Sequence, residues 1–269
     1  MDDGSVKDVI YLYGFAPATA PVPPAALAGI GGGAVELIDA DGVRAIVTRL
    51  PSSEYGGDII EGRLDDLAWV GEQGLGHERV VLWFVDQTDV LPARLFTLYA
   101  DEAALLAALV GRADHLRSEL ERLAGRREWN LKAAYDSAEL GRHGAEVSEE
   151  LRRMDADIDA AAPGRRYLLE RKRADVLKRE VGASARRLAN DLLDGLRPMA
   201  EAVHVLPLPA AGAQEGTVVL AAALLVHRDA EAGLRAEADR RIEALEALGM
   251  RVSFSGPWAP YRFLEPVDA

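Results

Sequence analysis

The stretch from about residue 137 to 200 limits the fold more than any other part of the chain. Two long helical patterns follow one another there. In the first, Val147, Leu151, Met154 and Ile158 are spaced 4, 3 and 4 apart. In the second, Leu177, Val181, Ser184, Leu188 and Asp191 continue a similar repeat, and Ala185 and Leu192 widen its face. Each pattern puts one apolar seam along a helix, and a helix with such a seam needs a partner. Ala162-Pro163-Gly164 interrupts the two, which predicts a short break and an antiparallel helical hairpin.

Strand-like segments bracket this hairpin. Glu128 to Tyr135 precedes it; Val203 to Leu208 and Thr217 to His227 follow, joined by a Gly/Ala-rich loop around Gly212. Ala230 to Leu248 carries Leu234, Ile242, Leu245 and Leu248 at amphipathic helical positions, and Arg251 to Ser255 reads as a last strand. The order from Glu128 is therefore β-α(hairpin)-β-β-α-β, that of a ferredoxin-like split βαβ sheet whose first crossover is enlarged into a helical projection.

The first part of the chain has different habits. Val9 to Tyr13 is a β-branched and aromatic run ended by Gly14 and a Pro-rich stretch, which predicts a strand and a loop. Val35 to Ile38 and Val43 to Val47 flank an Asp-Gly turn and predict a hairpin. Leu64, Leu67, Ala68 and Gly71 have helical spacing behind Asp65 and Asp66. Val80 to Val85 reads as a strand and Leu91 to Tyr99 as extended chain. Asp101 is placed to cap one helix running to about Leu123, with Leu105, Leu109, Leu116 and Leu120 on its apolar face and Gly125 at its end. Up to Val110 there are 17 Asp/Glu against 6 Lys/Arg, whereas the remainder is nearly balanced. The fold class is α+β in two domains: a small N-terminal α/β domain with its linking helix over 1–124, and a ferredoxin-like domain over 125–269 with the hairpin at about 137–200.

Composition removes several functions. With no Cys, disulfides, thiolate metal sites and cysteine nucleophiles are out. A net charge of −13 disfavours nucleic acid and anionic membrane as general partners. The longest apolar run, Val218 to Val226, is nine residues, a buried strand rather than a membrane span. The N-terminus, MDDGSVKD, has no basic, apolar leader, so the expected location is cytoplasmic. The five histidines show no metal-ligand spacing, no G-x-S-x-G elbow occurs, and Gly29-Ile30-Gly31-Gly32-Gly33 lacks the Lys-Ser/Thr ending of a phosphate loop. That glycine run reads as a flexible loop before a strand, and the acidic pairs Asp65/Asp66 and Asp58/Glu61 as solvated helix-start charges. No catalytic, cofactor or metal residue is expected. The second hairpin helix holds nine Lys/Arg and three Asp/Glu from Arg165 to Arg187. It reads as a solvated exterior, or as a dock for an acidic protein surface, another copy's N-terminal half included.

Six segments, taken in order, resemble a known family. They are Tyr11-Leu12-Tyr13-Gly14; His77-Glu78-Arg79-Val80-Val81-Leu82; Leu91-Pro92-Ala93-Arg94-Leu95-Phe96-Thr97-Leu98-Tyr99; Glu128-Trp129-Asn130-Leu131-Lys132; Gly164-Arg165-Arg166-Tyr167-Leu168 with Lys172; and Gly256-Pro257-Trp258-Ala259-Pro260-Tyr261-Arg262-Phe263. Together they resemble the gas vesicle GvpF/GvpL family. Two departures stand out: Leu95-Phe96 replaces Phe-Gly in the family's Leu-Pro-x-Arg-Phe-Gly-Thr, and Asn130 replaces a glycine.

The resemblance implies a cytoplasmic, non-enzymatic protein of gas vesicle formation, without a cofactor. It implies binding to the small hydrophobic shell subunit and to other accessory proteins, and a minor place in the shell. Self-association is a further expectation. Masking or positioning the shell subunit would use strand addition to a sheet edge or an apolar groove beside the helical projection. The candidate contact residues are Arg94, Phe96, Arg171, Lys172, Lys178, Trp258 and Tyr261. The expected structural roles beside these are anchoring of the C-terminal strand by Trp258 and Tyr261, and pairing of Arg94 with an N-domain carboxylate. A regulatory small-molecule-binding protein, an enzyme without a recognisable motif and a self-assembling structural component are the competing readings.

Overall fold

The computed structural model describes residues 7–208 and 216–265. By its contacts the chain forms two units. One is the chain up to Arg127 together with the segment from Trp258 onward, and the other is Glu128–Pro257. The boundary thus falls three residues beyond the expected 124/125 break, and the last segment belongs with the N-terminal unit rather than the C-terminal one.

In the N-terminal unit, β1 (Asp8–Pro17), β2 (Glu36–Ala40) and β3 (Val43–Pro51) lead into two single turns, α1 (Ser52–Tyr55) and α2 (Gly57–Glu61). Then come the long helix α3 (Leu67–Gln87), the short β4 (Leu91–Pro92) and β5 (Leu98–Tyr99), and the helices α4 (Glu102–Leu109) and α5 (Ala113–Arg122). The sheet order is β2-β3-β1-β4, with β5 also on β1. The Asp-Gly hairpin pairs Ala40 with Val43.

Three expectations about this unit are corrected. Val80 to Val85 is not a strand but the last turns of α3. Trp69, Gln73, Gly76, His77, Val80, Val81, Phe84 and Val85 are buried at helical spacing, and the Asp66 carboxylate accepts from Trp69 N–H at 3.1 Å to start the helix. Burial of this face outweighs the β preference of a few valines. The linking helix is two helices: Val110 leaves the helical conformation with ψ 124°, and Gly111 follows at φ +76°, a left-handed turn between α4 and α5 that glycine adopts freely. The glycine run is a packed turn rather than a flexible loop: Gly29 N–H donates to Gly33 O at 2.8 Å, and a Cβ on Gly29 would lie 2.4 Å from both Thr48 Oγ1 and the Tyr13 hydroxyl.

The C-terminal unit starts in β6 (Arg126–Tyr135). The first arm of the hairpin is broken into α6 (Ser137–Arg142), α7 (Gly144–Val147) and α8 (Glu149–Asp159); the second is the single 34-residue α9 (Pro163–Leu196), with Pro163 at its first turn. β7 (Ala202–Val205), β8 (Thr217–His227), α10 (Glu231–Glu246) and β9 (Met250–Trp258) complete it. The sheet order β7-β8-β6-β9 is that of the ferredoxin-like split βαβ arrangement. The expected loop around Gly212 lies outside the described residues.

The hairpin seam explains its own polar members. Ser148 caps α8, accepting from Leu151 N–H at 3.4 Å, and donates to Glu180 at 3.0 Å. Ser184 and Arg187 of α9 donate to the Val147 carbonyl at 3.1 and 3.2 Å, so the break between α7 and α8 leaves that carbonyl satisfied. Toward the tip only Leu151 and Val176 are buried; the Arg173 guanidinium, on both oxygens of Asp155, and Arg166, on the Ile158 carbonyl at 3.2 Å, take over there. At the base, Trp129, Leu131, Leu192, Leu196, Leu224 and Leu234 belong to one apolar core, and Trp129 stacks on Phe254 at 5.0 Å.

Candidate functional site

Four of the six motif segments meet inside the N-terminal unit, around a buried aromatic node. Tyr11 and Tyr13 point to the same side of β1, as residues two apart on a strand must. The Tyr11 hydroxyl bonds His77 Nδ1 at 2.7 Å and accepts from Phe96 N–H at 3.2 Å. The Tyr13 hydroxyl donates to Thr48 Oγ1 at 3.0 Å and accepts from Ile30 N–H at 2.8 Å. Burial raises both phenols, and burial lowers His77 to about 4, with the Ala93 backbone opposing that shift. A neutral imidazole therefore takes the Tyr11 proton at Nδ1. The node joins β1, α3, the glycine turn and the segment after β4, and every one of its groups is enclosed: it is scaffolding.

On this node rides the Leu91–Tyr99 segment. Ala93 N–H donates to Tyr13 O at 2.8 Å and Leu12 N–H to Thr97 O at 2.9 Å, while Thr97 N–H closes a turn on Arg94 O at 3.2 Å. Phe96, at the family's glycine position, adopts φ +62°, the left-handed backbone that glycine would take freely. Its ring stacks on Trp69 at 5.3 Å and 4°, and the Arg63 guanidinium covers the same indole at 4.2 Å. The aromatic stack offsets the backbone strain that the replaced glycine would have avoided. Arg94 stands exposed at the turn. The carboxylate expected to pair with it is not found among the described residues; only its carbonyl is engaged, by Thr97.

Tyr261 and Trp258 are half-buried. Tyr261 donates to Glu78 at 2.6 Å, next to His77 in sequence, and Arg122 holds the Phe263 carbonyl at 2.6 Å. The structure thus brings Phe96 and Tyr261 to the N-terminal unit with Arg94. Arg171, Lys172 and Lys178 belong to α9 of the other unit, where all three are exposed and without an ion pair among the described residues. Trp69 and Thr48 carry no signal in the sequence, whereas Tyr13 and Glu78 lie in the motif segments without any indication of their partners. Alternation of Tyr11 and Tyr13 was the one local signal; the rest depends on contacts between distant segments.

Four features bear on chemistry and docking. No group of three His, Asp or Glu side chains able to hold a metal occurs among the described residues. An open cleft of about 470 Å³ in the C-terminal unit is lined by Lys132, Ala134, Glu246, Met250, Arg251, Val252 and Ser253. In the same unit β7 is a sheet edge. Val205 on it and Leu208 after it are 62% and 49% exposed, more apolar surface than an edge normally offers. No helix among the described residues is long and apolar enough to cross a membrane.

A family model described as gas vesicle synthesis protein GvpL/GvpF matches residues 9–265. Gas vesicle protein F of Streptomyces sp. (strain CB03234) is 30% identical over 262 residues, covering 95% of this chain and 99% of that protein. Gas vesicle protein L of the same strain is 29% identical over 258 residues, covering 94% and 91%. The fold matches the crystal structure of the gas vesicle protein GvpF from Anabaena sp. PCC7120 with a TM-score of 0.68 at 18% identity, over 97% of this chain and 100% of that one. The GvpF structure from Microcystis aeruginosa gives 0.62 at 18% identity, over 95% and 98%. The chain belongs to the GvpL/GvpF family of gas vesicle synthesis proteins.

Proposed function

We propose that this protein is a non-catalytic accessory factor of gas vesicle assembly in the cytoplasm. It binds the small, hydrophobic, strand-forming shell subunit before that subunit is incorporated, and works beside other accessory proteins. A shell that repels water on its inner side needs a subunit with apolar, strand-forming surface. Such surface aggregates by edge pairing unless covered.

The observation that carries the docking reading is the β7 edge. Among the described residues it has one neighbour in the sheet, β8; its last residue, Val205, is exposed, and so is Leu208 three positions on. Pairing of His204 with Ala223 and the bond from Leu206 N–H to Ala221 O fix which amides face inward. By alternation the Val205 N–H faces outward, ready to accept an added strand. The acidic net charge of −13 keeps such a complex dispersed. The test is light scattering of the purified shell subunit diluted from denaturant. The protein is expected to suppress its aggregation in a saturable way; no binding and no suppression would overturn the reading.

A further inference from the structure

Two surfaces of the chain are complementary to each other in charge and in apolar content, one on each unit. The first is the distal end of α9. Tyr167 and Leu168 are 60% and 66% exposed there, although α9 already has a seam on its other side. Arg165, Arg171, Lys172 and Lys178 surround them, exposed and without ion pairs among the described residues. The helix period puts Leu168, Arg171, Lys172 and Lys178 within about 120° of one another, on the side away from buried Ser184. Glu170 and Asp175 are the acidic groups of the same stretch, so cations dominate it.

The second surface is the approach to α3 and its outer face. Leu67 and Leu75 are 81% and 71% exposed and lie eight residues apart on one side of the helix. Between them Gly71 exposes bare backbone, since a Cβ there would meet nothing within 4 Å. Leu64 is exposed beside them. Asp65 just before α3 and Glu72 on it are exposed beside these residues in sequence, and Asp58 and Glu61 of α2 are exposed in the approach; none is in an ion pair among the described residues. Arg63, held over Trp69, and Arg79 are the cations near it. An acidic rim around a leucine strip with a notch is the complement of a basic helix end that carries a tyrosine and a leucine.

We infer that the tip of α9 in one molecule docks on the α3 face of a second copy. The two patches are different, so the contact is heterologous. Each molecule then keeps one free patch of each kind, and copies add head to tail into an open chain rather than closing as a two-fold dimer. Ion pairs at the rim set orientation and rate, and the Tyr167–Leu168 contact with Leu67 and Leu75 supplies the apolar burial. The inference is independent of shell-subunit binding, which uses β7.

Sedimentation velocity on the full chain alone tests it. The wild type is expected to grow past dimer with concentration and to return to monomer at high salt, because exposed charges are screened within about 8 Å at physiological ionic strength. Arg171→Glu with Lys172→Glu removes the basic patch, and Asp65→Lys with Glu72→Lys the acidic one; either pair is expected to weaken self-association about tenfold or more. An equimolar mixture of the two double variants restores both contacts, each between unlike variants, and should grow into alternating chains although neither variant does so alone. The quadruple variant has charges swapped on both sides and should again form longer chains. Leu67→Ser with Leu75→Ser checks the apolar part without touching charge and should also reduce growth. A wild type that stays monomeric at every concentration overturns the inference, as does a dimer indifferent to these substitutions.

Discussion

The Tyr261 hydroxyl donates a 2.6 Å hydrogen bond to Oε1 of Glu78, across 183 positions of sequence. It fastens the end of the described chain to the outer turn of α3, one residue from the buried His77. Tyr261→Phe leaves the ring and removes the hydroxyl that makes this charge-assisted bond. The expected loss is about 1.5–3 kcal/mol of stability, the range for a hydrogen bond to a charged group. Urea denaturation followed by tryptophan fluorescence measures it, and trypsin cleavage after exposed Arg262 should quicken in parallel.

His77 makes stability depend on pH. Its folded-state value is about 4, below the ordinary 6.5, through burial. Above 6.5 neither state is protonated there and the group is silent. Below 6.5 the unfolded chain takes up a proton that the native state refuses, so stability falls by about 1.4 kcal/mol per pH unit and levels off near pH 4. The full loss is about 3 kcal/mol. His77→Asn, which keeps an acceptor for Tyr11, should be less stable at neutral pH but flatter between these limits. Urea midpoints taken across that range decide it: an unchanged slope in the variant would remove His77 from the account.

At Phe96 the usual order of glycine and alanine should invert. Phe96→Ala loses the stack on Trp69 and keeps a side chain at φ +62°. Phe96→Gly loses the same stack but relieves the backbone. The glycine variant is expected to be the more stable of the two by about 1 kcal/mol, as read from paired thermal melts. Alanine ahead of glycine would show that the turn rearranges when the ring is removed.

The glycine turn offers a contrast within four residues. In Gly29→Ala the new methyl meets Thr48 Oγ1 and the Tyr13 hydroxyl at 2.4 Å, so overpacking of about 1–3 kcal/mol is expected. In Gly32→Ala it meets nothing within 4 Å, and the cost is only that of a left-handed alanine, about 1 kcal/mol. Equal effects at the two positions would mean that the Tyr13–Thr48 pair yields easily.

How far the sequence reveals this fold follows from the range of the forces involved. The C-terminal unit is legible because its signals are periodic and local. Leu177, Val181, Ser184 and Leu188 announce α9, and the nine-residue apolar run inside Thr217–His227 announces the central β8. The N-terminal unit is less so. Val80 to Val85 carries a strand-like composition, and only the burial of Gln73, His77 and Phe84 on the same face makes it helix. Phe96 in a glycine position signals an altered turn, yet the turn persists, because Trp69, 27 positions away, holds the ring. The stiffness of Gly29–Gly33 comes from Tyr13 and Thr48, and no local pattern connects those residues. Arg171, Lys172 and Lys178 could be picked out as exposed cations from charge alone, whereas Leu67 and Leu75 take on meaning only once α3 has an outside.

Chemical cross-linking of this protein to the purified shell subunit, with the linked residues mapped by mass spectrometry and repeated with Val205→Pro and Val205→Lys, tests the account most directly. The account predicts links gathered around the β7 edge and the base of the helical projection. It also predicts their loss in both variants with little change in folding, since neither removes an inward ladder bond. No links to the shell subunit, or links indifferent to both substitutions, would contradict it.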